Sequence, residues 1–192
     1  MDAVAAAGAD WVGFVFAAGS PRTITPAAAA VLARRHPALA VVGLFVDPDD
    51  DDVAATLDAV PLSVLQIHGT RDRAVELRTR FGRPVWHAAG IATAHDLPML
   101  AGGIDALLLD AQAPAGTALP GGNARPFDWA VLQGWQAPCP WLLAGGLTPH
   151  NVASAIAQSG ATAVDVSSGV ESSRGVKDAA LIRAFVKAAQ GA

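Results

Sequence analysis

The feature that most constrains the fold is a strict alternation of two patterns along the chain. Short apolar runs, several rich in β-branched residues, stand at Trp11–Phe16, Ala40–Val46, Ser63–Ile67, Pro84–Ala88, Ala106–Asp110, Pro140–Ala144 and Ala163–Val166. Stretches with helical spacing or helix-start signals separate them. Thr25 precedes Pro26 as a helix N-cap, and proline at a first helical position loses a donor that has no partner anyway. That helix is expected over Pro26–Arg35, with others from Asp47-Pro48 to about Leu57, Arg71–Arg80, Ala92–Leu100, Thr148–Ser159 and Asp178–Ala189. A short helix is expected from Phe127-Asp128-Trp129, after a loop from Ala113 to Pro126 rich in Gly, Pro and Ala. The acids Asp49–Asp52 lack the alternating spacing of a calcium loop and sit where a helix dipole favours negative charge. Alternation of this kind yields a parallel sheet, because each strand returns through a crossover helix.

Such a sheet is open or closed, and the placement of glycine separates the two. A doubly wound sheet carries its glycine fingerprint after the first strand. Here the small-residue turns come late, at Leu143-Ala144-Gly145-Gly146-Leu147-Thr148-Pro149 and Val164-Asp165-Val166-Ser167-Ser168-Gly169-Val170. That is the phosphate-site position of many (β/α)8 barrels. Two such turns, each followed by a helix, can aim backbone N–H groups at one small anion. The predicted fold is therefore an α/β (β/α)8 TIM barrel forming one domain over residues 1–192. Seven strand–helix units can be read where a barrel needs eight. Residues 2–10 read as the last turns of a helix ending at Gly8, so the first strand and the front of the first helix are expected to be missing.

Composition narrows the function. The net charge of −4 includes no basic patch, which removes electrostatic support for nucleic-acid binding. Neither a signal peptide nor a run of about eighteen apolar residues is present, so the expected setting is the cytoplasm, without a membrane. The single cysteine, Cys139, excludes an internal disulfide and a cysteine-rich metal site. His36, His87, His95 and His150 have no metal-ligand spacing, and no metal is expected. The only lysines are Lys177 and Lys187, beside or in the last helix, which disfavours a Schiff-base aldolase or an indole-glycerol-phosphate synthase.

The motifs, taken in order, resemble the phosphoribosylanthranilate isomerases of tryptophan biosynthesis. The matching residues are Gly8-Ala9-Asp10-Trp11-Val12-Gly13-Phe14-Val15-Phe16, Ser20-Pro21-Arg22, Val42-Gly43-Leu44-Phe45-Val46, Leu65-Gln66-Ile67-His68-Gly69, Leu108-Leu109-Asp110 and Phe127-Asp128-Trp129. The last and most specific are Leu143 to Val152, Val164 to Glu171, and Gly175-Val176-Lys177-Asp178. The resemblance implies a (β/α)8 barrel without a cofactor, acting on a small phosphosugar–anthranilate substrate as a monomer or homodimer. It implies an Amadori rearrangement of N-(5-phosphoribosyl)anthranilate to 1-(2-carboxyphenylamino)-1-deoxyribulose 5-phosphate. It also implies a general-base cysteine on a first strand of Lys-Ile-Cys-Gly type, which this chain does not contain. Cys139, between Pro138 and Pro140 ahead of a strand, is not expected to replace it.

Asp110 ends its strand with a carboxylate aimed at the catalytic mouth of a barrel, where an apolar setting would raise its pKa for acid catalysis. The alternative is a helix or loop cap; the resemblance implies the acid. Arg22 follows its strand by a few loop residues, and its guanidinium suits a carboxylate or a developing oxyanion. It is otherwise an ordinary loop arginine. Asp165, an acid inside an apolar strand, either orients a substrate nitrogen or a neighbouring side chain, or makes a structural ion pair. His68 lines the mouth or is an internally satisfied histidine, and Gln66 shares its face. Gly145, Gly146, Ser168 and Gly169 are the phosphate-binding candidates, glycine permitting close approach and Ser168 adding a hydroxyl. The competing expectation is a catalytically silent phosphate-binding remnant of such a barrel.

Overall fold

The computed structural model describes residues 1–113 and 126–192. The first expected element is present as a short helix, α1 (Asp2–Ala7), closed by Gly8 in the left-handed conformation at φ 79°. Six strands follow: β1 (Trp11–Val15), β2 (Ala40–Val46), β3 (Val64–His68), β4 (Val85–Ile91), β5 (Ala106–Ala111) and β6 (Trp141–Leu143). They form one sheet whose neighbours run in chain order from β1 to β6. The registered pairs β1–β2, β2–β3 and β5–β6 are parallel. A doubly wound sheet reverses its order near the first strand; this one does not, which is the singly wound order of barrels.

Two compact units divide the chain. The first holds Met1–His87 with Gly102–Asp105. Its helices are α2 (Pro26–Arg35), α3 (Asp50–Ala59) and α4 (Arg71–Phe81). Each starts on a side chain that accepts a backbone N–H: Thr25 from Ala28, Asp49 from Asp52, and Thr70 from Arg73. The acidic run is thus a helix start, with Asp49 as its cap. Helix α2 buries Ala29, Ala30 and Ala33, small side chains that let a helix lie close against its neighbours. Every residue of β3 is buried, and Phe45 of β2 stacks on Phe16 with centroids 5.4 Å apart. Outside this core, Asp105 grips Arg78 through two hydrogen bonds of 2.7 and 3.0 Å and accepts the Val85 N–H.

The second unit holds Ala88–Ala101 with Ala106–Ala192. Leu107, Leu108 and Leu109 of β5 and Leu142 and Leu143 of β6 are buried together with Leu147, Val152, Ala155, Val170, Ile182 and Phe185. Helices α5 (Val152–Ser159) and α6 (Ala179–Gln190) pack on one another, and α6 is capped by Asp178, which accepts from Ala180 and Leu181.

Several expectations are corrected here. The helix expected over Ala92–Leu100 is a single 3-10 turn, Ala94–Asp96, closed by hydrogen bonds to the Asp96 carboxylate. Pro98 forbids its extension, since the residue before proline is pushed out of helical backbone. The segment from Phe127 is likewise a 3-10 turn, Trp129–Leu132. The last expected strand is reduced to one parallel bridge, Leu143 to Val164, flanked by Leu143 N–H to Ala163 and Asp165 N–H to Leu143. A hairpin foreseen by no pattern follows the Ser-Ser-Gly turn: β7 (Glu171–Ser173) against β8 (Val176–Lys177). Most of the loop expected from Ala113 to Pro126 lies outside the described residues.

Candidate active site

The expected site residues fall into the two units, and each set can be built from its own strands. In the second unit the ends of β5, β6 and the 163–165 segment lie side by side. Leu109 pairs with Leu143, and Leu143 bridges to Val164. The next residue along each strand is Asp110, Ala144 and Asp165, so the two carboxyls stand level on the strands flanking β6. Ala144 is the small residue between them, its N–H donating to Leu109 at 2.8 Å.

This placement sets the electrostatics. Burial, the Asp165 charge and, in opposition, a 2.8 Å hydrogen bond from the Ala111 N–H together push the Asp110 carboxyl up to about 7. Asp165 is also raised, by burial, with the Lys177 ammonium pulling the other way. Two half-buried carboxyls that share one poorly solvated setting cannot both ionise without cost, so near neutrality one of them holds a proton. Asp110 is thus neither a helix cap nor a salt-bridged surface acid, and its environment suits proton donation.

The two glycine turns are fitted to these strand ends. Gly145 and Gly146 have φ of 85° and 63°, backbone that other residues rarely adopt. A Cβ on Gly145 would lie 2.5 Å from the Ala111 nitrogen and 2.9 Å from Asp110 Oδ1. A Cβ on Gly169 would lie 1.8 Å from the Leu147 oxygen, so the second turn rests directly on the backbone that continues the first. Asn151, which the sequence patterns did not single out, locks the first turn: its side chain accepts the Thr148 N–H at 2.7 Å and donates to the Gly146 carbonyl at 3.0 Å. Thr148 therefore does not cap α5, which begins at Val152 after an intervening turn. Its hydroxyl accepts instead from the His150 N–H.

Lys177 was also missed, although it stood within a matched motif and is one of only two lysines. From β8 its ammonium donates to the Ser167 carbonyl at 2.8 Å, the Ser167 hydroxyl at 3.3 Å and Glu171 Oε1 at 2.9 Å.

In the first unit, His68 ends β3 with Gln66 on the same face, and both are buried. The Gln66 amide nitrogen lies 3.1 Å from His68 Nε2, which makes the histidine an acceptor there and fixes a neutral ring. Burial, with the neighbouring His87, lowers its pKa to about 4. His68 is thus internally satisfied at Nε2. Arg22 is half-buried in the loop that folds back on β1, where Thr23 bridges to Val15 and the Thr23 hydroxyl donates to the Ala17 carbonyl. Its own N–H donates to the Ser20 hydroxyl at 3.2 Å. Cys139 lies two residues before β6, at the end of that strand away from Asp110 and Gly145. Among the described residues no group of histidine, cysteine or acidic side chains is arranged to hold a metal. No described helix is long and apolar enough to cross a membrane.

These features match one family. Residues 1–188 match the model of N-(5'-phosphoribosyl)anthranilate (PRA) isomerase. The chain belongs to that family. It is 53% identical over 188 residues to the N-(5'-phosphoribosyl)anthranilate isomerase of Acidiphilium cryptum, covering 97% of this chain and 90% of that protein. The enzyme of Granulibacter bethesdensis is 52% identical at the same coverage. Among solved structures, the phosphoribosyl anthranilate isomerase of Thermotoga maritima superposes with a TM-score of 0.85 at 33% identity, covering 99% of this chain and 92% of that one. A phosphoribosyl anthranilate isomerase in complex with reduced 1-(o-carboxyphenylamino)-1-deoxyribulose 5-phosphate superposes at 0.82 and 31% identity, with 99% and 92% coverage.

Proposed function

We propose that this chain performs the family's isomerisation with Asp110 as general acid, and that the Gly145-Gly146 and Ser168-Gly169 turns hold the substrate phosphate. The activity itself follows from family membership: phosphoribosylanthranilate isomerase, a step of tryptophan biosynthesis. The observation that carries the assignment of roles is the carboxyl pair: Asp110 at a strand end, pushed up to about 7, level with Asp165 and against the Gly145 turn.

The chemistry can be followed from these residues. Asp110 in its neutral form gives its proton to the ribose ring oxygen as the C1–O bond breaks, and the nitrogen lone pair forms a C1=N iminium. Asp165, ionised, stands where it can offset the positive charge that develops on that nitrogen. A base then removes the C2 proton, the electrons moving to give a neutral enolamine, and protonation at C1 with loss of the C2 hydroxyl proton yields the ketone. Arg22 is assigned to the anthranilate carboxylate, for which a fixed guanidinium is suited. His68 is assigned as a neutral lining group, held so by Gln66.

The base is not Cys139, on the far side of β6. We place it, as the family resemblance implies, on a strand ahead of α1, completing a single (β/α)8-barrel domain. Chromatographic separation of phosphoribosylanthranilate from its ketose isomer tests the assignment. Conversion by the chain carrying that strand, and its loss in Asp110→Asn, is expected. Equal conversion by both proteins would remove Asp110 from the mechanism. The proposed setting is the cytoplasm, with the substrate as sole small-molecule partner. A homodimer is one available assembly, since a structure of a related protein describes monomers generated from a dimeric Thermotoga maritima enzyme.

A further inference from the structure

Among the described residues of the second unit, the β7–β8 hairpin is accounted for by neither the strand pattern nor the reaction. It is short and largely exposed, and Ser172, Ser173, Arg174 and Val176 face solvent. Its one elaborated feature is Lys177. The Glu171 side chain that meets it is only 4% exposed, and the other Glu171 oxygen accepts the Gly175 N–H at 3.0 Å. The lysine's remaining two bonds end on Ser167, two residues beyond Asp165 and directly before the Ser168-Gly169 turn. Pairing with the lysine offsets the cost of desolvating the Glu171 carboxylate, and the ammonium makes two bonds beyond that pair. Here the ammonium is carried back to the strand end and fixed there by two oxygens of one residue.

We propose that Lys177 is a positioning residue that decides which of the two carboxyls holds the shared proton: its fixed ammonium keeps Asp165 ionised and leaves the proton on Asp110. Among the described groups, Lys177 from β8 acts on Asp165, Asp165 acts on Asp110 from β5, and Glu171 from β7 reaches the site through its pairing with that lysine; β6 places Ala144 at this level. Burial raises both aspartates, and a local asymmetry, the Ala111 N–H on Asp110, favours the ionised form of Asp110 rather than of Asp165. A cation acting on Asp165 supplies the opposite bias. The Lys177 charge opposes the effect of burial on Asp165, whereas burial and the Asp165 charge both raise Asp110. Lys177 also ties the proton's location to the shape of the phosphate turn, because the same ammonium holds Ser167.

The inference rests on the assignment of Asp110 as the acid, and the test separates the two. Carbon-13-labelled aspartate carboxyls are titrated by NMR in the wild-type chain, in Lys177→Met and in Lys177→Arg. In the wild type Asp110 is expected to be the last aspartate to titrate, near 7. A wild-type Asp110 that titrates with ordinary aspartates refutes the acid assignment itself. In Lys177→Met the order is expected to reverse, Asp165 titrating last and Asp110 moving down, with Lys177→Arg restoring the wild-type order. An Asp110 midpoint unchanged in Lys177→Met overturns the role of Lys177 while leaving Asp110 as the acid. Should Lys177→Met fail to fold, Glu171→Gln gives the same decision. Freed from its carboxylate, Lys177 is expected to lower the Asp165 midpoint, and an unmoved or raised midpoint overturns the inference.

Discussion

Gly169→Ala perturbs the contact between the two turns with the smallest possible group. Gly169 does not have a positive φ, so alanine is conformationally allowed there, and only space opposes it. On backbone entropy alone a tolerated Gly→Ala change stabilises by about 0.4–1 kcal/mol. The added Cβ, however, would sit 1.8 Å from the Leu147 oxygen, 2.9 Å from the Leu147 carbonyl carbon and 3.1 Å from Thr148 Cα. These are backbone atoms, in a segment held by the Asn151 side chain, and cannot rotate away as a side-chain end would. The turns must separate instead. Overpacking of this kind costs about 1–3 kcal/mol, or about 2–4 °C of Tm per kcal/mol in a chain of this size. Separation should also lose one charge-assisted hydrogen bond to the phosphate, which weakens binding about tenfold or more. Gly13→Ala is the control, because a Cβ there meets nothing within 4 Å. Thermal unfolding and calorimetric titration with reduced 1-(o-carboxyphenylamino)-1-deoxyribulose 5-phosphate read both effects. A Gly169→Ala protein that matches Gly13→Ala in Tm and Kd would refute the argument that the turns are wedged together.

Gly146→Asp places a carboxylate, on backbone with φ 63°, in the turn proposed to hold the substrate phosphate. KM is expected to rise more than tenfold while charge repulsion persists, and an unaltered KM counts against the site. Asp105→Ala should cost about 1–2 kcal/mol at pH 7, because it removes two hydrogen bonds from Arg78 and one from Val85. The Arg78 guanidinium holds the Asp105 carboxyl below its ordinary value, so its stabilisation is full above about pH 4 and is lost as pH falls further. Parallel urea titrations of both proteins should therefore converge in acid, and a constant gap down to the lowest pH would contradict the ion pair. Asp110 has the opposite sign. Its carboxyl is raised to about 7, so the folded chain gains protons relative to the unfolded one between about pH 4 and 7, and stability falls as pH rises through that window. Asp110→Asn removes that dependence, and its Tm should exceed the wild type's above pH 7; a lower Tm there speaks against a buried, costly carboxyl.

Much of the parallel architecture could be read directly from residue pattern, because apolar runs separated by capped helices leave few other topologies. Thr25-Pro26, Gly8 and Asp178 behave as their local chemistry requires. The misreadings occur where local and tertiary demands differ. Ala163–Val166 has the composition of a strand but pairs at one point only, and Asp165 sits where a longer strand would have carried on. The Ala92–Leu100 segment has helical residues, yet Asp96 spends its carboxylate on the Ala92 and Thr93 N–H groups and Pro98 stops the chain. Within the site, the carboxylates and glycines were visible because each is an exception in its setting, an acid at an apolar strand end or glycine after it. Asn151 and Lys177 were not, because an asparagine before a helix and a lysine near a chain end are ordinary. Only their distances to Gly146, Thr148, Ser167 and Glu171 give them a role. The near neighbourhood of Asp110 and Asp165, about fifty residues apart in sequence, depends on strand order and could not be read from either alone.

The central claim is that Asp110 is the proton donor of the isomerisation. It is tested most directly by the turnover of phosphoribosylanthranilate by Asp110→Asn in the chain carrying the base-bearing strand, with binding of the reduced product analogue measured alongside. Loss of a general acid predicts a fall in kcat of about 10²–10⁴ with analogue Kd within about threefold of wild type. A kcat within a few-fold of wild type, with the analogue still bound, would contradict it.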